Sequence, residues 1–492
     1  MAVDHNIIIL GAGFGGLGLG ARLKQAGIDD FIILEQADDI GGTWRDNIYP
    51  GSACDVESHL YCYDFDLHLG TDRIYARQPE LLAYIKRMAD NARLGGHIRC
   101  NAHVVAAQWD DAACQWRITL ADGEILTARF FVPAWGQLNR PAIPDFPGRE
   151  TFAGLAFHSA RWPRDLKLDG KRVASIGNAA SAIQYIPEIA PVCGHLTIFQ
   201  RTPNWVVPRG DRVYTPEEMA LFANPEDYRQ DKDRLFAWRE SAFEKMVPGS
   251  ADSEELVHMA QAHLAAQVPD PVLRAKLVPD YPLGCKRILR SDDYYPTLMR
   301  DNVALETAAI NRIEPHAIVT ADGMRHEVDV IIYGTGFETQ SFQGGVDIHG
   351  AGGQALRETW KNGAFAYLGM SVPGFPNFFL LYGPNTNLGH NSILLMLEAQ
   401  FTYIIGAIRD LSARPECAID VRAEVARQFD DGLQAQFQGT AWSGSCTSWY
   451  KNASGRIVNN WSGTVGSYQR MAAQFNADDY SYLSAYEAIE NG

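Results

Sequence analysis

Hydrophobic positions open the chain as a short run, Ile7-Ile8-Ile9-Leu10, which gives way to Gly11-Ala12-Gly13-Phe14-Gly15-Gly16 and a helical stretch ending near Gln25. A second apolar run, Phe31-Ile32-Ile33-Leu34, follows and stops at Glu35. Short apolar runs separated by a glycine turn and a helix predict a parallel strand, turn, helix, strand unit. The same order recurs from Arg172-Val173-Ala174-Ser175-Ile176, through Gly177-Asn178-Ala179-Ala180-Ser181-Ala182, to Leu196-Thr197-Ile198-Phe199-Gln200-Arg201. Two further strand-and-turn segments, 129–136 and 329–337, predict returns of the chain into these sheets. Over 215–267 the residues are polar and helix-forming, without β-branched runs or glycine punctuation, which predicts a helical insertion.

Each glycine of the first turn has a physical task. Gly11 permits the tight turn, Gly13 lets a pyrophosphate approach the backbone, and Gly16 lets helix and strand pack closely. The helix start then offers free N–H groups and a favourable dipole to phosphate. Glu35 and Arg201 each stand 24 positions beyond the first glycine of their unit, which puts both at the end of a second strand. An acid there accepts a ribose 2′-hydroxyl, whereas an arginine favours a 2′-phosphate. The pattern predicts two dinucleotide sites, the first for FAD or NAD and the second for NADP, and such a chain passes a hydride between them. Ala179 stands where the middle glycine of the second motif is expected, so its methyl group is expected to push the pyrophosphate outward.

The predicted fold class is α/β, with two Rossmann-like dinucleotide-binding domains and a helical insertion. A length of 492 residues exceeds what one core supports. The first, FAD-binding domain is read as discontinuous, 1–140 and 329–492, the second part adding substrate-cavity segments. The NADP-binding domain is read as 141–328, with the insertion near 215–267 inside it.

A net charge of −16 argues against nucleic-acid backbones and anionic lipid surfaces as partners. The eight cysteines include no CxxC pair and no metal-ligand spacing, so reduced thiols and no metal are expected. The N-terminal apolar run is too short for a signal peptide or a membrane span, and a cytoplasmic protein is expected. Oligomeric state is not encoded in these patterns.

At Phe152-x-Gly154-x-x-x-His158-x-x-x-Trp162-Pro163, directly before the second glycine motif, the sequence resembles the fingerprint of type I Baeyer–Villiger monooxygenases. Gly41-Gly42-Thr43-Trp44, Tyr49-Pro50-Gly51, Cys54-Asp55, Tyr61-Cys62-Tyr63, Gln200-Arg201-Thr202-Pro203 and Lys286-Arg287 also resemble that family's blocks, in its order. The resemblance covers nearly the whole chain. Departures are Ala179, Ala134-Trp135-Gly136 where Ala-Thr-Gly is common, and Ala53 where arginine is frequent.

The resemblance implies a flavin reduced by NADPH, oxygen addition at C4a, and attack of the resulting peroxyflavin on a ketone to give an ester or lactone. By the same resemblance Arg287 keeps the peroxide anionic, a task for a cation that cannot lose its proton, and Asp55 orients Arg287. Read alone, Lys286-Arg287 is a solvated basic pair and Asp55 a helix cap before Val56. Expected FAD contacts are Gly11, Gly13, Phe14, Gly16, Glu35, Gln36, Gly42, Thr43, Trp44, Asp55, Tyr61, Val105 and Ile393. Expected NADP contacts are Gly177, Asn178, Ala180, Ser181, Ala182, Gln200, Arg201, Thr202 and Lys286. His158 and Trp162 are read as linker residues and His390 as a loop hydrogen-bonder, while the aromatics of 442–450 and Trp461 are expected to build or cover the substrate cavity.

Three alternatives stay open. A flavin monooxygenase oxidising sulfur or nitrogen needs no anion-stabilising Arg287. A flavin disulfide reductase needs a close cysteine pair, which Cys54 and Cys62 do not make. A flavin-binding sensor without turnover would draw support from Ala179.

Overall fold

In the computed structural model residues 3–444 and 446–484 are described; Ser445 and residues 485–492, both within the stretch expected to complete the first domain, lie outside the described residues. The first apolar run forms the strand His5–Leu10, held in parallel between Phe31–Leu34 and Ile125–Pro133. Its side chains alternate in direction, so Ile7 and Ile9 enter one core with Leu17 and Phe401, while Ile8 and Leu10 enter another with Trp116 and Phe131. Ile98–Arg99 extends this sheet beyond Phe31–Leu34. On the other side Val104–Asp110 and Gln115–Leu120 form an antiparallel meander with Ile125–Pro133, and Asp347–His349 closes the edge at seven strands.

Helix Phe14–Gln25 packs against helix Ile393–Ser412. At Gly18 a methyl group would stand 2.6 Å from the Tyr63 hydroxyl and 2.7 Å from the Phe401 ring, so the seam admits no side chain there.

The second sheet is parallel throughout, in the order Val303–Glu306, His195–Phe199, Arg172–Ile176, Val330–Tyr333, Leu155–His158. Val330–Tyr333, expected to open the second part of the first domain, belongs instead to this sheet. Its run is apolar on both faces, with Ile331 and Ile332 in different cores, and only an interior strand covers both. The seam therefore falls after Tyr333.

Both passages between the units share one ribbon. Pro141 pairs antiparallel with Phe337, the Ala142 N–H donates to the Gly336 carbonyl (2.9 Å), and the Glu338 N–H donates to the Arg140 carbonyl (2.9 Å). The Thr335 hydroxyl donates to the Ala142 carbonyl at 2.6 Å. His158 anchors this crossing: its Nδ1 accepts from the Ala160 N–H, leaving Nε2 to donate to the Gly336 carbonyl at 2.9 Å. Trp162 packs edge-on against Phe157, with Tyr185 beside it. These contacts are those of linker residues.

The insertion forms three main helices, Pro216–Phe222, Pro225–Ser241 and Ala251–Gln267. Its placement differs from a simple elaboration of the second domain. Tyr228, Lys232, Leu235 and Arg239 bury one face of Pro225–Ser241, and that face seats on the first domain. There Lys232 Nζ donates to the Cys62 carbonyl (2.9 Å), and His59 Nδ1 lies 2.8 Å from Asp231 Oδ2. Charged residues on the buried face hide this contact from a hydrophobic-pattern reading.

The expectation of reduced thiols is corrected. Cys114 is bonded to Cys417 and Cys285 to Cys446, with Cα separations of 6.0 and 6.4 Å, within the disulfide range. The partners lie 303 and 161 positions apart, so sequence spacing gave no sign of them. Among the described residues no helix is long and apolar enough to cross a membrane.

Candidate active site

Gly11 ends the first strand at φ +109°, and a methyl group there would come 2.8 Å from the Ala134 carbonyl. At Gly16 it would come 1.9 Å from the Gly11 carbonyl, so helix and turn are in contact. Gly13 faces Gly42: a Cβ on Gly42 would lie 3.0 Å from the Gly13 Cα. This leaves a cradle free of side chains at the start of Phe14–Gln25, a helix that no side chain caps and whose first N–H groups lack intrahelical partners.

Beside the cradle the buried Glu35 carboxylate accepts from the Ala12 N–H (2.9 Å), the Ala37 N–H (3.0 Å) and Arg45 Nη1 (3.0 Å). Arg45 was not singled out from sequence; its only signal is that it directly follows Thr43-Trp44. Phe14 packs edge-on against Tyr61 at 5.4 Å, and the Trp44 indole N–H points to the Tyr61 hydroxyl at 3.3 Å. Gln36 and Thr43 are exposed. The Ala102 N–H donates to the Glu35 carbonyl (2.8 Å), which brings the following strand, with exposed Val105, near the acid. Ile393 opens the long helix, which Ser392 caps. A glycine cradle, an anchored acid and an aromatic cluster together fit a flavin dinucleotide.

The second turn repeats the geometry. Gly177 has φ +105°, and a methyl group there would lie 2.3 Å from the Gly334 carbonyl. Ala179 and Ala180 are exposed at the turn, and Ser181 precedes the short helix Ala182–Ile189. Asn178 and Gln200 are tied into the scaffold: Asn178 Nδ2 donates to Gln200 Oε1 (2.7 Å) and to the Thr202 carbonyl (3.2 Å), while Gln200 Nε2 donates to the Lys276 carbonyl (2.8 Å). Arg201 is exposed, and neither it nor Lys286 forms an ion pair among the described residues. Burial, then the nearby charge of Arg201, holds the Lys286 ammonium below its ordinary pKa. Two neighbouring cations, neither in an ion pair although Asp280 lies near Lys286, suit a 2′-phosphate.

Between the units Arg287 meets Asp55 through Nη2 (2.5 Å) and Nε (3.1 Å) to the same Oδ2. No helix starts at Val56, so Asp55 caps nothing. Both side chains are surrounded by protein, yet 34% and 35% of their surfaces remain accessible, so a bound group can reach the pair. Burial opposes ionisation of Asp55, but the charge and hydrogen bonds of Arg287, with Arg239 and Arg290 beyond, hold its carboxyl at about 2. The Asp55 charge in turn holds the Arg287 guanidinium above its ordinary value against burial. Tyr450, near the pair, is pushed up to about 12 by burial.

The His390 ring faces the Glu240 carboxylate at 3.6 Å, and against burial this contact, with hydrogen bonds from Gly466, Asn391 and Val465, holds the Glu240 carboxyl at about 2. Trp442 is buried near Phe243 and Phe437, whereas Trp461 packs on Tyr468 and Phe429 and so fills core. Two open surface hollows of about 800 and 510 Å³ flank helix Phe14–Gln25 and contain none of these site residues.

Two dinucleotide cradles with an arginine–aspartate pair at their seam define a flavin-dependent oxidoreductase that draws on a nicotinamide cofactor. Residues 4–231 match the flavin-binding monooxygenase-like family. A Baeyer–Villiger monooxygenase of Streptomyces coelicolor is 41% identical, over 97% of this chain and 92% of that protein. One of Pseudomonas aeruginosa is 39% identical over 96% and 90%. The closed crystal structure of a cyclohexanone monooxygenase superposes with a TM-score of 0.89 at 28% identity, over 98% and 99% of the two chains. An oxidised steroid monooxygenase bound to NADP gives 0.87 at 30% identity, again over 98% and 99%. The chain belongs to the type I Baeyer–Villiger monooxygenases.

Proposed function

We propose that this enzyme binds FAD at Gly11–Glu35 and NADPH at Gly177–Arg201 and inserts one atom of O2 beside the carbonyl of a ketone, giving an ester or lactone. The observation that carries the reading is the Arg287–Asp55 pair, joined at 2.5 and 3.1 Å where the two cofactor units meet. FAD, when bound, accepts the hydride of NADPH and activates oxygen. Arg287 supplies a fixed positive charge where oxygen becomes nucleophilic and where negative charge gathers on the carbonyl oxygen. Asp55, ionised through the working pH range, accepts two of the Arg287 N–H groups and so limits the directions the remaining ones take. Arg201 and Lys286 hold the 2′-phosphate and select NADPH over NADH. A cytoplasmic setting, where NADPH is regenerated, belongs to the same reading.

The test is product analysis. Purified enzyme with NADPH and ¹⁸O-labelled O2 meets a panel of cyclic, linear and aryl ketones and one thioether. An ester or lactone carrying one labelled oxygen is expected. Sulfoxide as the sole product would replace this reading with heteroatom oxidation.

A further inference from the structure

The buried face of helix Pro225–Ser241 carries a charge that the reaction described above does not use. Arg239 is 8% exposed in its side chain and pairs with Glu57, 6% exposed, at 2.8 Å. Its Nε donates to Glu57 Oε2 (2.9 Å), and the Tyr75 hydroxyl donates to Glu57 Oε1 (3.0 Å). The rest of the fork reaches two backbone carbonyls. Nη2 donates to Asp55 (3.1 Å) and Nη1 to His390 (3.4 Å). The next residue, Glu240, accepts from Asn391 Nδ2 (2.9 Å), the Val465 N–H (3.0 Å) and the Gly466 N–H (2.9 Å).

One turn of one helix therefore ties together the loop that bears Asp55, the loop that leads into helix Ile393–Ser412, and the start of helix Val465–Met471. A buried ion pair is weak evidence for stability, because desolvation offsets its attraction. What a planar guanidinium adds is direction: its donors sit in a rigid fork, so the groups it bonds are fixed relative to one another. Here two of those groups are backbone carbonyls, one of Asp55 itself and one of the loop that leads into helix Ile393–Ser412.

We propose that Arg239 is a positioning residue for oxygen transfer: by holding the Asp55 and His390 carbonyls in one fork, it sets the Asp55–Arg287 pair against the flavin-side loop. The inference rests on the monooxygenase reading. Its charge also acts on Asp55. The charged groups facing that carboxylate are Arg287, Arg239 and Arg290, with Cys54, Tyr61 and Tyr450 as neutral neighbours. Loss of Arg239 removes one of these cations, yet Arg287 and Arg290 remain, so Asp55 stays ionised through the working pH range and what is lost is its position.

The test uses the FAD-loaded full chain and compares wild type, Arg239→Met, Arg239→Lys and Glu57→Gln. Ester formed per NADPH consumed is measured against pH, beside NADPH oxidation and Tm. In Arg239→Met, NADPH oxidation is expected to stay within about threefold while ester per NADPH falls about tenfold or more, the difference leaving as hydrogen peroxide. The yield is expected to fall alike across the assayed pH range. Arg239→Lys keeps the charge without the fork, so the yield recovers only in part. Were Arg239→Met not to fold, Arg239→Lys and Glu57→Gln read the same yield. A variant that keeps its flavin, loses Tm, and retains wild-type yield and pH profile would show a purely structural tie and overturn the proposal. Wild-type enzyme making no ester from any ketone would remove the monooxygenase reading, and this inference with it.

Discussion

Asp55 and Arg287 illustrate how a single contact decides a titration. Burial pushes the carboxyl towards neutrality, and the adjacent guanidinium, seconded by Arg239 and Arg290, reverses the sign. Replacing Arg287 with alanine is expected to leave flavin content and NADPH oxidation intact while ester formation drops by about 10²-fold or more, read as peroxide in place of product. Arg201→Ala is expected to raise KM for NADPH about tenfold and that for NADH less than about twofold, measured by initial rates with each donor. Glu398 shows the opposite titration. Burial, helped by the charge of Asp64, raises its carboxyl to about 7. An acid whose folded pKa is raised costs stability as pH rises through its unfolded value of 4.5, and the cost is complete above about 7, because the folded state must first keep a proton and then hold an unwelcome charge. Glu398→Gln should accordingly change Tm little near about pH 4 and raise stability by on the order of 2 kcal/mol near about pH 8.5, as thermal melts at the two pH values would report. Asp55, Glu35 and Arg201 were all legible in the sequence because each sits at a fixed offset from a glycine turn or family block. Arg45 and Arg239 were not, since a single arginine on a polar helix has no pattern until its partners are in place.

Among the elements, the two strand–turn–helix units were the easiest to read, because glycine tolerates the positive φ that Gly11 and Gly177 adopt. The helix seam at Gly18 had no such cue. A methyl group there would meet Phe401 and Tyr63 below 3 Å, so Gly18→Ala is expected to lower stability by about 1–3 kcal/mol despite the better helix propensity of alanine, measured by denaturant melts. Val330–Tyr333 was read as a strand, but strand character does not say which sheet a strand joins. That choice is made by neighbours far away in sequence, Leu155–His158 and Arg172–Ile176. The insertion helices were placed within their limits, while their docking surface stayed hidden behind Lys232 and Arg239.

For the whole molecule, two α/β units followed from spacing, and the choice of FAD for the first from the family resemblance, whereas the covalent cross-links followed from neither. Cys285 precedes Lys286-Arg287 directly, so its bond to Cys446 ties the segment bearing Arg287 to the aromatic stretch 442–450. Alkylation in denaturant without reductant is expected to label four thiols, those of Cys54, Cys62, Cys100 and Cys193, and eight after reduction, counted by mass spectrometry. Eight labels without reductant would return the cysteines to the reduced state.

The crossing at Pro141 and Phe337 fixes the mechanics of the assembly. A lone connecting strand would let the nicotinamide-side unit twist and slide; two antiparallel strands that hydrogen-bond each other behave as a leaf hinge, which flexes across its flat face and resists torsion. Any swing of that unit would thereby be confined to one arc, and the Cys285–Cys446 bond with the Lys232 and Arg239 contacts to the flavin side restrains the segment bearing Arg287 against it.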